Sequence, residues 1–139
     1  MNIGTLAMVF GIGFLAVGFL GFTAAPPPPD APPLTVEQGH GLLLGLFPVN
    51  ILHNVVHLLF GALGLMAAWG VMISARGYFQ FVAVMYGLLT VLGLIPATNT
   101  TFGLVPIHGN DVWLHAILAA VATYYGFAPH ERVTIEDTL

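Results

Sequence analysis

A chain of 139 residues with 58% hydrophobic and only 6% charged side chains cannot cover its own surface in water, since a soluble domain carries roughly 25% charged residues. Its mean hydropathy of +0.93 and net charge of −4 go with the lack of any basic patch, which excludes nucleic acid as a partner. The absence of cysteine excludes disulfides, thiolate zinc sites, iron–sulfur clusters and covalent c-type haem.

A hydrocarbon core of about 30 Å needs roughly 20 helical residues. Four apolar stretches are long enough, at about 3–23, 49–73, 78–97 and 111–127. They predict an all-α integral membrane protein, a four-transmembrane-helix bundle forming one membrane domain over residues 1–139. The first stretch has no positively charged start and an apolar run longer than that of a signal peptide, so a retained helix is expected. The loop from Ala24 to Pro48 then begins with Pro26 to Pro29, Pro32 and Pro33, the composition of an extended polyproline spacer. Thr35 stands three residues before Gln38, a capping-box pattern that predicts a short interfacial helix. Gly41 to Phe47 is apolar but too short to span, and suits the interface or a shallow re-entrant position. This loop reads as a linker with an entry turn, or as a strap for docking another subunit. Ser74 to Gly77 makes a tight turn, so the second and third helices are expected to form an antiparallel hairpin. The fourth stretch ends near Tyr124 and Tyr125, at a depth suited to interfacial aromatics. The acidic tail from Pro129 to Leu139 reads as a loosely held end.

Orientation rests on two side chains. Arg76 lies between the second and third stretches and Arg132 after the fourth, which four spans place on one side. The positive-inside rule makes that side cytoplasmic, with both termini. The loops 24–48 and 98–110 then face the periplasm or a lumen, and with them His40, His53, His57, His108 and His115; only His130 lies elsewhere.

Two polar clusters interrupt the apolar runs: His53, Asn54 and His57, then Asn110, Asp111 and His115. Imidazoles and carboxylates are costly at membrane depth, so such residues mark a site and call for partners. At about 100° per residue, Asn50, His53, Asn54, His57, Gly61 and Gly64 share one face of the second helix. Asp111, His115, Leu118, Ala122 and Gly126 form a stripe on the fourth, Gln80, Ala83, Gly87 and Thr90 on the third, and Gly4, Ala7, Gly11 and Gly18 on the first. Small residues let membrane helices approach closely, so these stripes are expected contact faces.

Three readings of the clusters remain open. His53 with His57, and Asp111 with His115, are each four residues apart and project from one helical face. Packed side by side, the two helices would present three imidazoles and a carboxylate to zinc, copper or non-haem iron, with Asn54 and Asn110 as supporting hydrogen-bond partners. Alternatively Asp111 caps the fourth helix, near Gly109 and Asn110, and accepts a hydrogen bond from His53 or His57, so that the polar network of Asn50, Asn54 and Asn110 with the histidines fastens helix to helix. In the third reading His53, His57 or His115 ligates haem iron or chlorophyll magnesium, with Gly61 and Gly64 leaving room for a flat ring. Ser74 lies at the opposite turn, so no Ser-His-Asp arrangement forms, and no phosphate-binding glycine loop is present. Asp111 is the only charged side chain in the spans apart from Arg76 at their turn, which disfavours a proton-coupled pump. Trp69, Trp113 and most phenylalanines read as lipid contacts and interface anchors.

The segment Leu44-Gly45-Leu46-Phe47-Pro48-Val49-Asn50, running into His53-Asn54-Val55-Val56-His57-Leu58 and Gly61, resembles the signature of a small bacterial membrane family. So does Asn110-Asp111-Val112-Trp113-Leu114-His115. The family is catalogued as domain of unknown function 4383, and the resemblance covers roughly Gly41 to Phe127. It implies a four-helix membrane protein and brings no established activity. The stretch Thr101-Phe102-Gly103-Leu104-Val105-Pro106 is similar to cyanobacterial members, which implies a thylakoid or a photosynthetic complex as a setting. The proline-rich insert departs from the family pattern.

Two function classes follow. The first is a non-enzymatic accessory or scaffold subunit of a larger membrane complex or homo-oligomer, in a bacterial inner membrane or a thylakoid, with lipid and other membrane subunits as partners. The second is a membrane protein that binds a transition metal or a tetrapyrrole through His53, His57, Asp111 and His115.

Overall fold

The computed structural model describes residues 2–129 and is mostly helical. Arg132, His130 and the tail beyond Pro129 lie outside the described residues.

The helix α1 spans Ile3–Leu20 and tightens into a 3₁₀ turn at Gly21–Thr23. Its start is set by Asn2, whose side chain accepts a 2.7 Å hydrogen bond from the Thr5 amide and so satisfies one of the free N–H groups of the first turn. The helix α2 spans Ile51–Ala68, shorter at both ends than the apolar run. Pro48 and Val49 are strand residues, and Asn50 is extended and caps the helix by accepting from the His53 amide at 2.9 Å. At the other end Gly70 takes a left-handed φ of 70°. The amides of Gly70 and Val71 turn back to the carbonyls of Ala67 and Met66, a glycine-terminated close that stops the helix although Val71, Met72 and Ile73 are apolar.

The helix α3 spans Ala75–Leu94, starting three residues before the expected position because Ser74 caps it, its Oγ accepting from the Gly77 amide. It ends at Leu94 because Ile95 precedes a proline and is forced to extended backbone. The helix α4 spans Asn110–Phe127, entered through Gly109 at φ 64°.

The expected short interfacial helix in the first loop is replaced by a β-hairpin. Strands β1, Gly41–Leu43, and β2, Phe47–Val49, pair antiparallel with Leu42 opposite Pro48. The pairing extends outward, as Ala25 and Leu42 exchange hydrogen bonds of 3.1 and 2.7 Å. Thr35 opens no helix because the amides of Thr35 and Val36 both donate to the Gly103 carbonyl of the opposite loop. The 24–50 and 95–109 loops are thus stitched together over the same end of the bundle.

Helix pairing also differs from the expected hairpin of α2 with α3. The close pairs are α1 with α2 and α3 with α4, while α2 meets α3 only sparingly. Glycine decides the first pair: a Cβ on Gly11 would lie 2.8 Å from the Leu65 amide nitrogen and 2.9 Å from the Gly61 carbonyl oxygen. Gly61 and Gly64 therefore serve the approach of α1 rather than room for a flat ring. Gly126 of α4 does the same for the backbone of Gln80 in α3, whereas Gly87 has open space beside it and Gly93 abuts the Ile107 carbonyl.

The core between the pairs is aromatic: Phe14, Phe60, Tyr78, Phe79 and Tyr86 are buried. Those phenylalanines are core residues, in contrast to the expected lipid contacts; Trp69 and Trp113 are exposed as expected. The stretches Ile3–Thr23, Ile51–Ala68 and Ala75–Leu94 are long and apolar enough to cross a membrane. Outward-facing Ile12, Leu59, Val84 and Leu88 give those three an apolar surface, consistent with a membrane protein.

Candidate metal centre

Four donor groups converge between α2 and α4. His53 and His57 come from successive turns of α2, and Asp111 and His115 from successive turns of α4. All four are buried, each at 5% exposure or less. One ring nitrogen from each of His53, His57 and His115 lies within 4.8 Å of the others. The Asp111 Oδ2 stands 3.8 Å from the His53 Nε2. The pairs at four-residue spacing thus meet, because α2 and α4 turn these faces toward each other.

The hydrogen bonds around these groups are informative. His53 Nδ1 lies 3.0 Å from the Pro48 carbonyl oxygen, which can only accept, so Nδ1 carries the proton and Nε2 keeps its lone pair. Pro48 was invisible as a site residue to the sequence. Its carbonyl is available for this role because Leu42, opposite it in the hairpin, exchanges its backbone hydrogen bonds with Ala25 instead. That lone pair points towards a carboxylate oxygen, an arrangement that a cation resolves. His53 Nε2, His57 Nδ1, His115 Nδ1 and Asp111 Oδ2 are all buried without a hydrogen-bond partner among the described residues. A buried polar atom left unpaired costs about 1–3 kcal/mol; the three imidazoles cluster together, with the carboxylate beside His53.

The expected fastening hydrogen bond from His53 or His57 to Asp111 is not formed; 3.8 Å is beyond hydrogen-bond length. Asp111 also makes no side-chain cap to α4, whose first residue outside the helix is Gly109. The three asparagines play separate parts. Asn50 is fully buried, and its Nδ2 donates to the carbonyls of Val36 at 2.9 Å and Leu104 at 2.7 Å, joining both of these loops to the start of α2. Asn110 donates to the Leu46 carbonyl at 3.3 Å and ties α4 to the hairpin. Asn54 reaches neither histidine: it packs against the backbone of Gly21, where any Cβ would collide with its amide. Neither Asn54 nor Asn110 hydrogen-bonds an imidazole among the described residues.

Around the donors the walls are aromatic. Phe14 packs edge-on to His57 with ring centres 5.5 Å apart, Tyr86 edge-on to His115 at 4.9 Å, and the two imidazoles of α2 meet at 4.6 Å. These contacts hold the rings without consuming their nitrogens. A triangle with edges of 4.8 Å has its centre about 2.8 Å from each corner, against about 2.0–2.1 Å for a zinc–nitrogen bond. Small side-chain rotations close that difference. A tetrapyrrole fits less well: the adjoining cavity is about 230 Å³, below the roughly 300–1,000 Å³ of sites for larger organic ligands.

His40 and His108 lie apart from this centre, on the loops before α2 and before α4. Burial lowers the pKa of His108 from its ordinary value, and the neighbouring His40 lowers it further.

Residues 5–128 match the family profile described as a domain of unknown function (DUF4383). The chain belongs to the DUF4383 family. The match includes both polar motifs and all four helices except the first two residues of α1. No curated protein matches the chain, and no solved structure does. Membership in DUF4383 therefore carries no activity over to the histidine centre, whose chemistry rests on its own geometry.

Proposed function

We propose that this DUF4383 protein holds one divalent transition metal ion inside the membrane, between α2 and α4. His53, His57 and His115 supply nitrogen and Asp111 an oxygen. The observation that carries this reading is the convergence of four buried donor atoms without protein partners. Three imidazoles and a carboxylate suit zinc, and copper or iron by the same donor chemistry. Two ligand atoms of one tetrahedral zinc stand about 3.4 Å apart, close to the 3.8 Å between His53 Nε2 and Asp111 Oδ2. The Pro48 carbonyl then acts as the outer partner that orients a metal-binding histidine.

In this reading α4 is the fourth span. Its polar first turns face the bundle, where the metal offsets their cost, and its remaining turns are apolar. Arg76 marks the cytoplasmic side, so the centre lies towards the periplasm or a lumen.

Purification in detergent without chelator, followed by elemental analysis, tests the proposal. The wild-type chain is expected to carry about one equivalent of metal, natively or after loading with Zn²⁺. His57→Ala and His115→Ala should each lose most of it while remaining helical, and Asp111→Asn should weaken binding by about tenfold or more. A wild-type chain that stays metal-free after loading overturns the proposal.

A further inference from the structure

An apolar cavity borders the histidine side of the centre. This cavity, of about 230 Å³, is lined by all three imidazoles, by Phe60 and Met85, and by Leu89 and neighbouring apolar residues of the 98–109 loop. Asp111 does not line it. The carboxylate instead borders a smaller cavity of about 110 Å³, together with Leu43, Phe47 and Leu114. The donors therefore separate the two spaces, with the carboxylate on one side and the larger cavity on the other.

The larger cavity is walled in part by Val56 and Phe60 of α2 and by Met85, Tyr86 and Leu89 of α3, the helices that pack against each other least among sequence neighbours. Val56 of α2, 37% exposed, stands in its wall and at the outer surface. In a membrane that surface faces acyl chains, so the route inward starts in lipid. No charged side chain lines the route once the histidines are engaged by metal. An ion entering would lose its hydration without a partner, a cost of many kcal/mol, whereas a neutral molecule would not. An apolar cavity of roughly 150 Å³ already accommodates benzene.

We propose that the metal, held by its four protein donors, takes as a fifth ligand a small, neutral, lipid-soluble molecule bearing one donor atom, admitted sideways from the bilayer between α2 and α3. The inference rests on the metal reading above and adds the class of its ligand.

Cobalt-loaded protein in detergent or lipid discs tests it, with visible absorption reporting the coordination sphere. Pyridine, neutral at pH 7.5, serves as the lipid-soluble donor, and azide as the charged one. Pyridine should shift the cobalt bands at a concentration at least tenfold below that required for azide. Leu89→Trp, which fills the cavity without touching a donor, should leave the cobalt spectrum in place and weaken the pyridine response at least tenfold. Val56→Phe, milder and in the outer wall, should weaken it in the same direction if the larger substitution prevents folding. Equal potency of azide and pyridine, or an undiminished pyridine response in a folded cavity variant, overturns the inference while leaving the metal site standing. A wild-type chain that takes up no cobalt ends both.

Discussion

Gly11→Ala puts the pairing of α1 with α2 to a quantitative test. The added methyl would stand 2.8 Å from the Leu65 amide nitrogen, 2.9 Å from the Gly61 carbonyl oxygen and 3.1 Å from the Gly64 carbonyl carbon. All three are backbone atoms, so no rotamer change relieves them. Carbon contacts are comfortable at about 3.5–4.0 Å, which requires the helices to part by about 0.7 Å at this point. Overpacking of this kind costs about 1–3 kcal/mol. Gly13→Ala is the matched control, since nothing lies within 4 Å of its would-be Cβ. Helices separated in detergent keep their backbone hydrogen bonds, so the helix-propensity gain of alanine largely cancels in both variants. Unfolding in dodecyl sulfate, followed by circular dichroism and fluorescence, reads the difference. Gly11→Ala should be destabilised by about 1–3 kcal/mol and Gly13→Ala by less than about 0.5 kcal/mol. Because Phe14 packs on His57 from α1, Gly11→Ala should also loosen metal binding. Equal stabilities of the two variants would refute the glycine-mediated contact.

Asn50→Ala removes two donations to loop carbonyls and the cap on α2, and should cost about 2–4 kcal/mol in thermal or denaturant unfolding. It should also expose the loops before α2 and before α4 to protease, and a loss below about 0.5 kcal/mol would count against their being held by this side chain. The pKa of His108 is lowered by burial and then by His40, so the folded protein binds its proton more weakly than the unfolded chain does. Its contribution to stability is therefore full above about pH 6.5 and is lost as pH falls through the lowered folded value. An NMR titration midpoint at or above that of free imidazole would contradict this.

The polar residues of the centre were legible because they are expensive in an apolar chain. Four-residue spacing placed His53 with His57 and Asp111 with His115 on single helical faces, and burial of all four follows. The small-residue stripe of α1 likewise found its partner, since only glycine permits that backbone approach. The stripe on α3 was less reliable: Gly87 faces open space, so periodicity alone did not distinguish a contact from a coincidence. Phe14, Phe60 and Phe79 depart from the lipid-facing expectation that exposed Phe19, Phe22, Phe81, Phe102 and Phe127 fit, for a related reason. An apolar side chain satisfies lipid and core equally, and hydropathy cannot say which it meets.

By itself, then, the amino-acid order determined the apolar helices, the faces on which the donors sit and the scarcity of charge that makes those donors meaningful. Tertiary structure decided which helices pair, because close backbone contact is a property of two glycine surfaces and not of one. It decided that residues 41–49 form a hairpin, because the amides of Thr35 and Val36 and the Ala25–Leu42 pair find partners far away in the chain. It set the proton on His53 through the Pro48 carbonyl, and it left the donors on α2 and α4 without hydrogen-bond partners while bringing them within reach of one ion. Spacing along a helix fixes direction, but the gap between two helices fixes whether the groups bond to each other or to something held between them.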